Sequence, residues 1–199
     1  MNKDLLIIFT RNPELGKVKT RLSSTVGNEP ALRIYEFLLK HTAAITKELK
    51  VVKEVYYSEN IKKNDLWDTD LYTKKLQIGS DLGERMHHAF QKGFNEGYTR
   101  IIIIGSDMYE LSKGGLESAF RSLKDHDYVI GPAKDGGYYL LGMKRFNSDL
   151  FKNKNWGKDT VLQATLNDLK KESLKLLPVR NDVDYFEDIQ HIDIFQQFL

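Results

Sequence analysis

Arg11, Lys17, Lys19 and Arg21 crowd one short stretch, FTRNPELGKVKTRL, spanning Phe9–Leu22. Four cations so close repel one another, and an anion is the natural compensation. Pro13 and Gly16 shape a turn, and a helix is predicted to begin near Thr20. Backbone N–H groups in such a loop favour a phosphate, and Lys17, Lys19 and Arg21 would add charge-assisted hydrogen bonds. Neither a GxxxxGK[ST] loop nor a GxGxxG fingerprint is present. The competing reading is a solvated basic loop, since Lys and Arg are common on surfaces.

Three acidic segments could complement these cations. Asp107 leaves the very apolar run RIIIIGSD, where a carboxylate can ligate Mg2+ or Mn2+ and bridge to phosphate oxygens; alternatively Asp107 or Ser106 caps a turn. Asp135-Gly136-Gly137, in GPAKDGGYYLLGM, suits a tight hairpin. Pro132, Lys134, Tyr138 and Tyr139 make that loop richer than a turn requires, and two glycines let backbone approach a ligand. Near the C-terminus, NDVDYFED carries Asp182, Asp184 and Asp188. Asp184 and Glu187 have capping-box spacing for a last helix, while Asp184 as a second metal ligand is the rival role. His87 and His88 are neighbours on a predicted helix and point apart, so they read as non-ligands; Ser106 has no evident base.

The bulk composition narrows the ligand. With 199 residues, 41% of them hydrophobic, the chain suits one domain over 1–199 with a real core. Charged residues make up 29%, and the formal net charge is only +2, which argues against a nucleic-acid binder and for a small anionic ligand. There is no cysteine, so disulfides, thiolate zinc sites and cysteine nucleophiles are excluded. No apolar run reaches the roughly 18–20 residues of a membrane helix, and LLIIF is too short for a signal peptide. No membrane partner is expected, and a cytoplasmic protein is.

The elements that must position these residues alternate. LLIIF is a continuous apolar run, the pattern of a strand covered on both faces. PALRIYEFLLKHTAAITKEL places Ala31, Ile34, Tyr35, Leu38 and Leu39 on one helical stripe. KEVYYS, KKLQIG, RIIIIGSD, DYVIG, GYYLLGM and LKLLPV read as strands, and DLGERMHHAFQKGF, SKGGLESAFRSL, KDTVLQATLNDLKK and YFEDIQHIDIFQQFL as helices. Ser112 is the expected N-cap of the second of these helices. The segments 58–70 and 147–157 read as surface excursions. Alternation of this kind implies an α/β domain with a mostly parallel sheet, binding its ligand at the carboxyl ends of the strands.

Six motifs in this order resemble the DUF2064 group of GT-A-type proteins: FTRNPELGKVKTRL, QIGSDLGERMHHAF, IIIIGSDMYEL, GPAKDGGYYLLGM, WGKDTVLQATL and DVDYFED. That group is linked to arsenosugar-type glycosyl transfer and lies in the nucleotide-diphospho-sugar transferase superfamily, beside the molybdenum cofactor and phospholactate guanylyltransferases. The resemblance covers nearly the whole chain. It implies a three-layer α/β/α, Rossmann-like GT-A fold. It implies that Arg11, Gly16, Lys17, Lys19 and Arg21 face nucleotide phosphates, and that Asp81, Gly83 and Arg85 shape the nucleotide side. It further implies that Asp107 and Asp184 hold a divalent metal, Mg2+ or Mn2+, and that Asp135, Gly136, Gly137, Tyr138 and Trp156 line the sugar or acceptor pocket. The group commonly continues Gly-Ser-Asp with a small residue and proline; here Met108 and Tyr109 follow, and that restraint is missing.

Three functions follow as expectations. The first is a metal-dependent glycosyltransferase using a nucleotide-sugar and a small-molecule acceptor, with Asp135 as the base if transfer inverts. The second is a nucleotidyltransferase using a nucleoside triphosphate and a phosphorylated acceptor. The third, kept open by the missing proline, is a nucleotide-binding module without catalysis.

Overall fold

The computed structural model describes residues 3–199. Its seven strands are β1 (Asp4–Thr10), β2 (Val52–Tyr57), β3 (Thr73–Leu76), β4 (Arg100–Gly105), β5 (Tyr128–Pro132), β6 (Tyr138–Met143) and β7 (Leu174–Leu176). They form one sheet in the order β3-β2-β1-β4-β6-β5-β7. β6 runs antiparallel to both β4 and β5, and the remaining neighbours are parallel. The isoleucine-rich β4 therefore has one parallel partner, β1, and one antiparallel partner, β6.

Alternation along β1 feeds both faces. Leu6 and Ile8 join Val55, Tyr57, Ile102 and Ile104 under the helices α2 (Asn28–Thr46) and α4 (Lys113–Asp125). Leu5, Ile7 and Phe9 join Tyr56, Ile101 and Ile103 under α3 (Leu82–Asn95) and α5 (Val161–Asp168). This is why the apolar runs are continuous rather than alternating: both faces of these strands are covered. Helix–sheet–helix layering gives a three-layer, mixed α/β fold. A third apolar cluster joins the short α1 (Thr20–Val26) and α2 to the C-terminal segment through Leu22, Ile34, Leu38, Val183, Ile189 and Phe195.

The C-terminal helix expected over residues 185–199 does not form as one element. A 3₁₀ turn at Phe186–Asp188 and a short α6 (Asp193–Gln196) replace it. The reason lies in the spacing: Phe186, Ile189, Ile192, Phe195 and Phe198 recur every third residue. Each of these later four donates its N–H to the carbonyl three positions earlier, at 3.0 or 3.1 Å, and all five pack on the third cluster. A period of three matches 3₁₀ geometry rather than 3.6-residue α-helical turns. The cap also differs from expectation. Asp188, not Glu187, closes it, accepting from the N–H groups of Asp184 (3.0 Å) and Tyr185 (2.7 Å).

The two supposed surface excursions are anchored. Trp67 is buried against Tyr72, and Asp65 accepts from the Tyr57 hydroxyl at 2.6 Å. Leu150 and Phe151 plug residues 147–157 into the second cluster.

Candidate functional site at the carboxyl ends of β1 and β4

The strands β1 and β4 are parallel neighbours, and register sets Phe9 against Gly105. Their following loops therefore emerge side by side. Tyr35, from α2, ties the two together. Its hydroxyl accepts from the Arg11 N–H at 2.9 Å and lies 3.3 Å from Ser106 Oγ, which donates to Thr10 Oγ1 at 3.2 Å. All three side chains are buried. Thr42, about two helical turns further on, donates to the Ser106 carbonyl at 3.0 Å.

On this frame Lys19 meets Asp107. Its Nζ donates to Asp107 Oδ2 at 2.7 Å and lies 3.4 Å from Asp184 Oδ1. Arg21 Nη1 donates to Asp184 Oδ2 at 2.9 Å. Lys19 has left-handed backbone geometry, φ 48° and ψ 45°, at the start of α1, and only 4% of its side chain is exposed. Burial alone would push the Lys19 ammonium down, but Asp107, Asp184 and Asp182 outweigh it and hold the group above the usual lysine range. Burial likewise pushes Asp107 up, and Lys19 and Arg11 overcome it, holding the carboxyl below the ordinary value.

Lys17 goes elsewhere. Its ammonium pairs with Glu14 at 2.7 Å and faces Glu59 at 3.9 Å, so Lys17 shares the cleft without sharing the Asp107 cluster. Gly16 (φ 75°) serves the preceding turn.

Two adjoining cavities open here. The larger, about 850 Å³, is bordered by Arg11, Lys17, Lys19, Arg21, Asp81 and Arg85 and reaches Asp107 and Asp184. The smaller, about 180 Å³, lies between Tyr138, Tyr139, Trp156, Val161, Asp135 and Asp182. Asp107, Asp135 and Gly157 border both. Asp81 caps α3 by accepting from Glu84 N at 2.8 Å, and Arg85 is oriented by the Gly79 carbonyl at 3.1 Å.

Gly83 lines neither cavity. It lies under the Trp156 indole, where an added Cβ would come within 2.3 Å of Nε1. The contribution expected of Gly83 to the nucleotide side is thus a seat for Trp156. Gly136 (φ 86°) is also set back from the cavities; a Cβ there would meet the Asp159 carbonyl at 2.2 Å, and its own carbonyl accepts from Leu162 N at 2.9 Å. Asp135 accepts from Gly137 N at 2.8 Å, as a turn residue does.

Met108, standing where the group has a small residue, is 3% exposed and packs in the first core cluster. Tyr109 packs edge-on against Phe195 and beside Phe37. Side-chain burial thus anchors the loop after Asp107.

Two contributors escaped sequence reasoning. Tyr35 appeared only as one more apolar position of a helical stripe. Asp182 carries no signal of its own in the sequence, where Asp184 has the capping spacing. Burial, with Asp135, Asp184 and Asp107 nearby, pushes the Asp182 carboxyl up to about 6.

Among the described residues no three His, Cys, Asp or Glu side chains gather closely enough to enclose a metal. Two carboxylates converging on one cation, Lys19, with further carboxylates repelling each other nearby, nevertheless fit a hard divalent ion completed by substrate oxygens. Asp107 and Asp184 are the residues that would hold it.

The family profile described as "Uncharacterized protein conserved in bacteria (DUF2064)" matches residues 41–158. The chain belongs to this family. A crystal structure from Desulfovibrio desulfuricans, described as a "putative nucleotide-diphospho-sugar transferase", is 30% identical, covers 100% of this chain and 99% of its own, and superposes with a TM-score of 0.85. At fold level the DUF2064 chain also resembles the manganese complex of Rv0371c from Mycobacterium tuberculosis, with 11% identity, 95% of this chain, 97% of that one and TM-score 0.57. A 4-diphosphocytidyl-2C-methyl-D-erythritol synthase from Anaerococcus prevotii gives 9% identity, 98% and 97% coverage and TM-score 0.63. No curated protein matches the sequence. The fold is that of nucleotidyl and glycosyl transferases. Among the described residues no helix is long and apolar enough to cross a membrane.

Proposed function

We propose that this protein is a metal-dependent glycosyltransferase, acting as one unit over 1–199, that takes a nucleotide-sugar donor and a small-molecule acceptor. One observation carries the reading: Lys19 and Arg21 meet Asp107 and Asp184 where a cleft of about 850 Å³ joins a pocket of about 180 Å³. The larger space suits a nucleoside diphosphate. The smaller, with aromatic walls and carboxylates, suits a sugar or a polar acceptor. The description of the Desulfovibrio desulfuricans relative and the manganese bound by Rv0371c support the donor class and the metal.

In this reading the bond between the sugar's anomeric carbon and the β-phosphate oxygen breaks, and the electron pair leaves with the nucleoside diphosphate. Lys19 and Arg21 donate to the departing phosphate oxygens. A bound divalent ion supplies Lewis-acid stabilisation of the same charge. Such preorganised donors are commonly the largest catalytic contribution, about 10²–10³-fold for one well-placed group. The acceptor hydroxyl bonds to the anomeric carbon and gives its proton to a carboxylate bordering the small pocket. Asp135 is the sequence-based candidate. Asp182 borders the same pocket and is the second candidate.

A thermal-shift panel of nucleoside diphosphates, triphosphates and nucleotide-sugars, with and without Mn2+, tests this. Metal-dependent stabilisation by a diphosphate or nucleotide-sugar, lost in Asp107→Ala, is expected. Preference for a triphosphate, followed by pyrophosphate release, would move the assignment to nucleotidyl transfer. Unchanged metal coupling and turnover in Asp107→Ala would overturn the site.

A further inference from the structure

We propose that Lys19 is a resident cation holding the metal's place, so that metal and phosphate enter the cleft together and neither enters well alone. The proposal rests on the nucleotide-and-metal reading above and adds the coupling between the two ligands.

Lys19 Nζ is 2.7 Å from Asp107 and 3.4 Å from Asp184, the two carboxylates that would hold the ion. A divalent ion bonds carboxylate oxygens at roughly 2.0–2.6 Å. An ion on those same oxygens would lie against the ammonium, with like charges in contact and little water between them, since the lysine side chain is only 4% exposed. Ion and ammonium cannot share the position.

A phosphate changes the balance. It offers Lys19 an alternative anion in the larger cleft, which Lys19 itself borders beside Thr20 and Arg21. The lysine stem is flexible, so the ammonium can turn while the backbone stays. Asp184 also has a second cationic neighbour, Arg21, at 2.9 Å. The left-handed backbone of Lys19 is consistent with a device of this kind, because strained conformations of non-glycine residues gather at switch positions. Coupling of binding equilibria is reciprocal, so a phosphate that frees the carboxylates for metal is itself bound more tightly when metal is present.

The test uses the full chain and Mn2+ binding read by electron paramagnetic resonance, with folding of each variant checked by circular dichroism. Wild type and Lys19→Arg should bind Mn2+ alone weakly. Lys19→Met should bind it at least about tenfold tighter, by removal of a competing cation, and Lys19→Gly, which suits the positive φ, should do the same. Adding Asp107→Asn to Lys19→Met should abolish the gain. Pyrophosphate, as a base-independent probe, should strengthen Mn2+ retention by wild type far more than by Lys19→Met. If wild type binds Mn2+ alone as tightly as both neutral variants, and Asp107→Asn removes that binding, the coupling is wrong while the metal site stands. If no variant retains Mn2+ with or without pyrophosphate or nucleoside diphosphates, the coupling and the proposed function fall together.

Discussion

Replacing Tyr35 by phenylalanine removes one oxygen and should loosen the whole cleft. That hydroxyl accepts the Arg11 N–H at 2.9 Å, faces the Arg11 carbonyl at 3.2 Å, and completes the chain to Ser106 and Thr10. The residue is 2% exposed, so water cannot readily take the oxygen's place. Leaving a buried donor without a partner costs about 1–3 kcal/mol. At about 2–4 °C per kcal/mol for a chain of this size, a central loss of about 2 kcal/mol lowers Tm by roughly 4–8 °C. The functional effect should exceed that of mere destabilisation, because the lost bonds join the loop after β1 to the loop after β4. Tyr72→Phe supplies the comparison. Tyr72 is also buried and its hydroxyl sits 2.8 Å from Thr46 Oγ1, but neither borders the cleft. Calorimetry should show similar losses in the two variants, while titration with Mn2+ and a nucleoside diphosphate should show weakened binding in Tyr35→Phe alone. A Tm unchanged within a degree, or equal binding by both variants, would refute the role given to Tyr35.

Two more perturbations follow from the packing and the charges. Gly83→Ala places a methyl group within 2.3 Å of Trp156 Nε1; displacing the indole should cost about 1–3 kcal/mol and change tryptophan fluorescence, and a variant with wild-type urea midpoint and spectrum would contradict the described seat. For Asp182, the folded-state carboxyl is raised to about 6 from an ordinary 3.8, so the folded chain holds this proton more tightly than the unfolded one. The metal-free protein should therefore lose stability from this group as pH rises from about 4 to about 6, with the loss constant above that. In chelator, Asp182→Asn should match wild type below pH 4 and exceed it above pH 7 by roughly 1–2 kcal/mol, after allowance for partial solvent screening; parallel stability curves for the two proteins would exclude the raised carboxyl.

The sheet was largely readable because its signals are local. Four isoleucines in succession and the LLIIF run are short, apolar and rich in β-branched residues, which suits strands covered on both faces, and the stripe of Ala31, Ile34, Tyr35, Leu38 and Leu39 follows helical period directly. Strand order was not readable, since nothing in GYYLLGM says that it inserts antiparallel between β4 and β5. The C-terminal segment misled for a different reason: apolar residues three apart satisfy part of a helical template, and only strict recurrence at three separates the 3₁₀ solution. Within the site, Lys19, Arg21, Asp107 and Asp184 stood out by charge and by their place after strands. Lys17 stood out equally, and its pairing with Glu14 is the one element of that loop a charge count could have suggested, because the two are three residues apart across a turn. Tyr35 was hidden by its own hydrophobicity: the ring satisfies the helical stripe, and the hydroxyl's work appears only when two distant loops are brought beneath it.

What makes the site cohere is the way the C-terminal segment is fixed to it. Asp184 could not face Lys19 if it also capped the following turn. Asp188 takes that duty, accepting from Asp184 N, Tyr185 N and Asn181 Nδ2. The segment is then bound sideways to the loops that follow β4 and β5: Asn181 N donates to Glu110 Oε2 at 3.1 Å, Arg180 N to the Pro132 carbonyl at 3.1 Å, and Lys134 N to the Arg180 carbonyl at 3.0 Å. With the backbone held from three directions, Asp182 borders the small pocket and Asp184 the large cleft. Two carboxylates separated by a single buried valine can therefore serve different volumes, one beside the proposed acceptor and one beside the phosphate-binding cations. Burial and repulsion among the gathered acidic groups together raise Asp182, and a cation drawn in with a phosphate would relieve the repulsion.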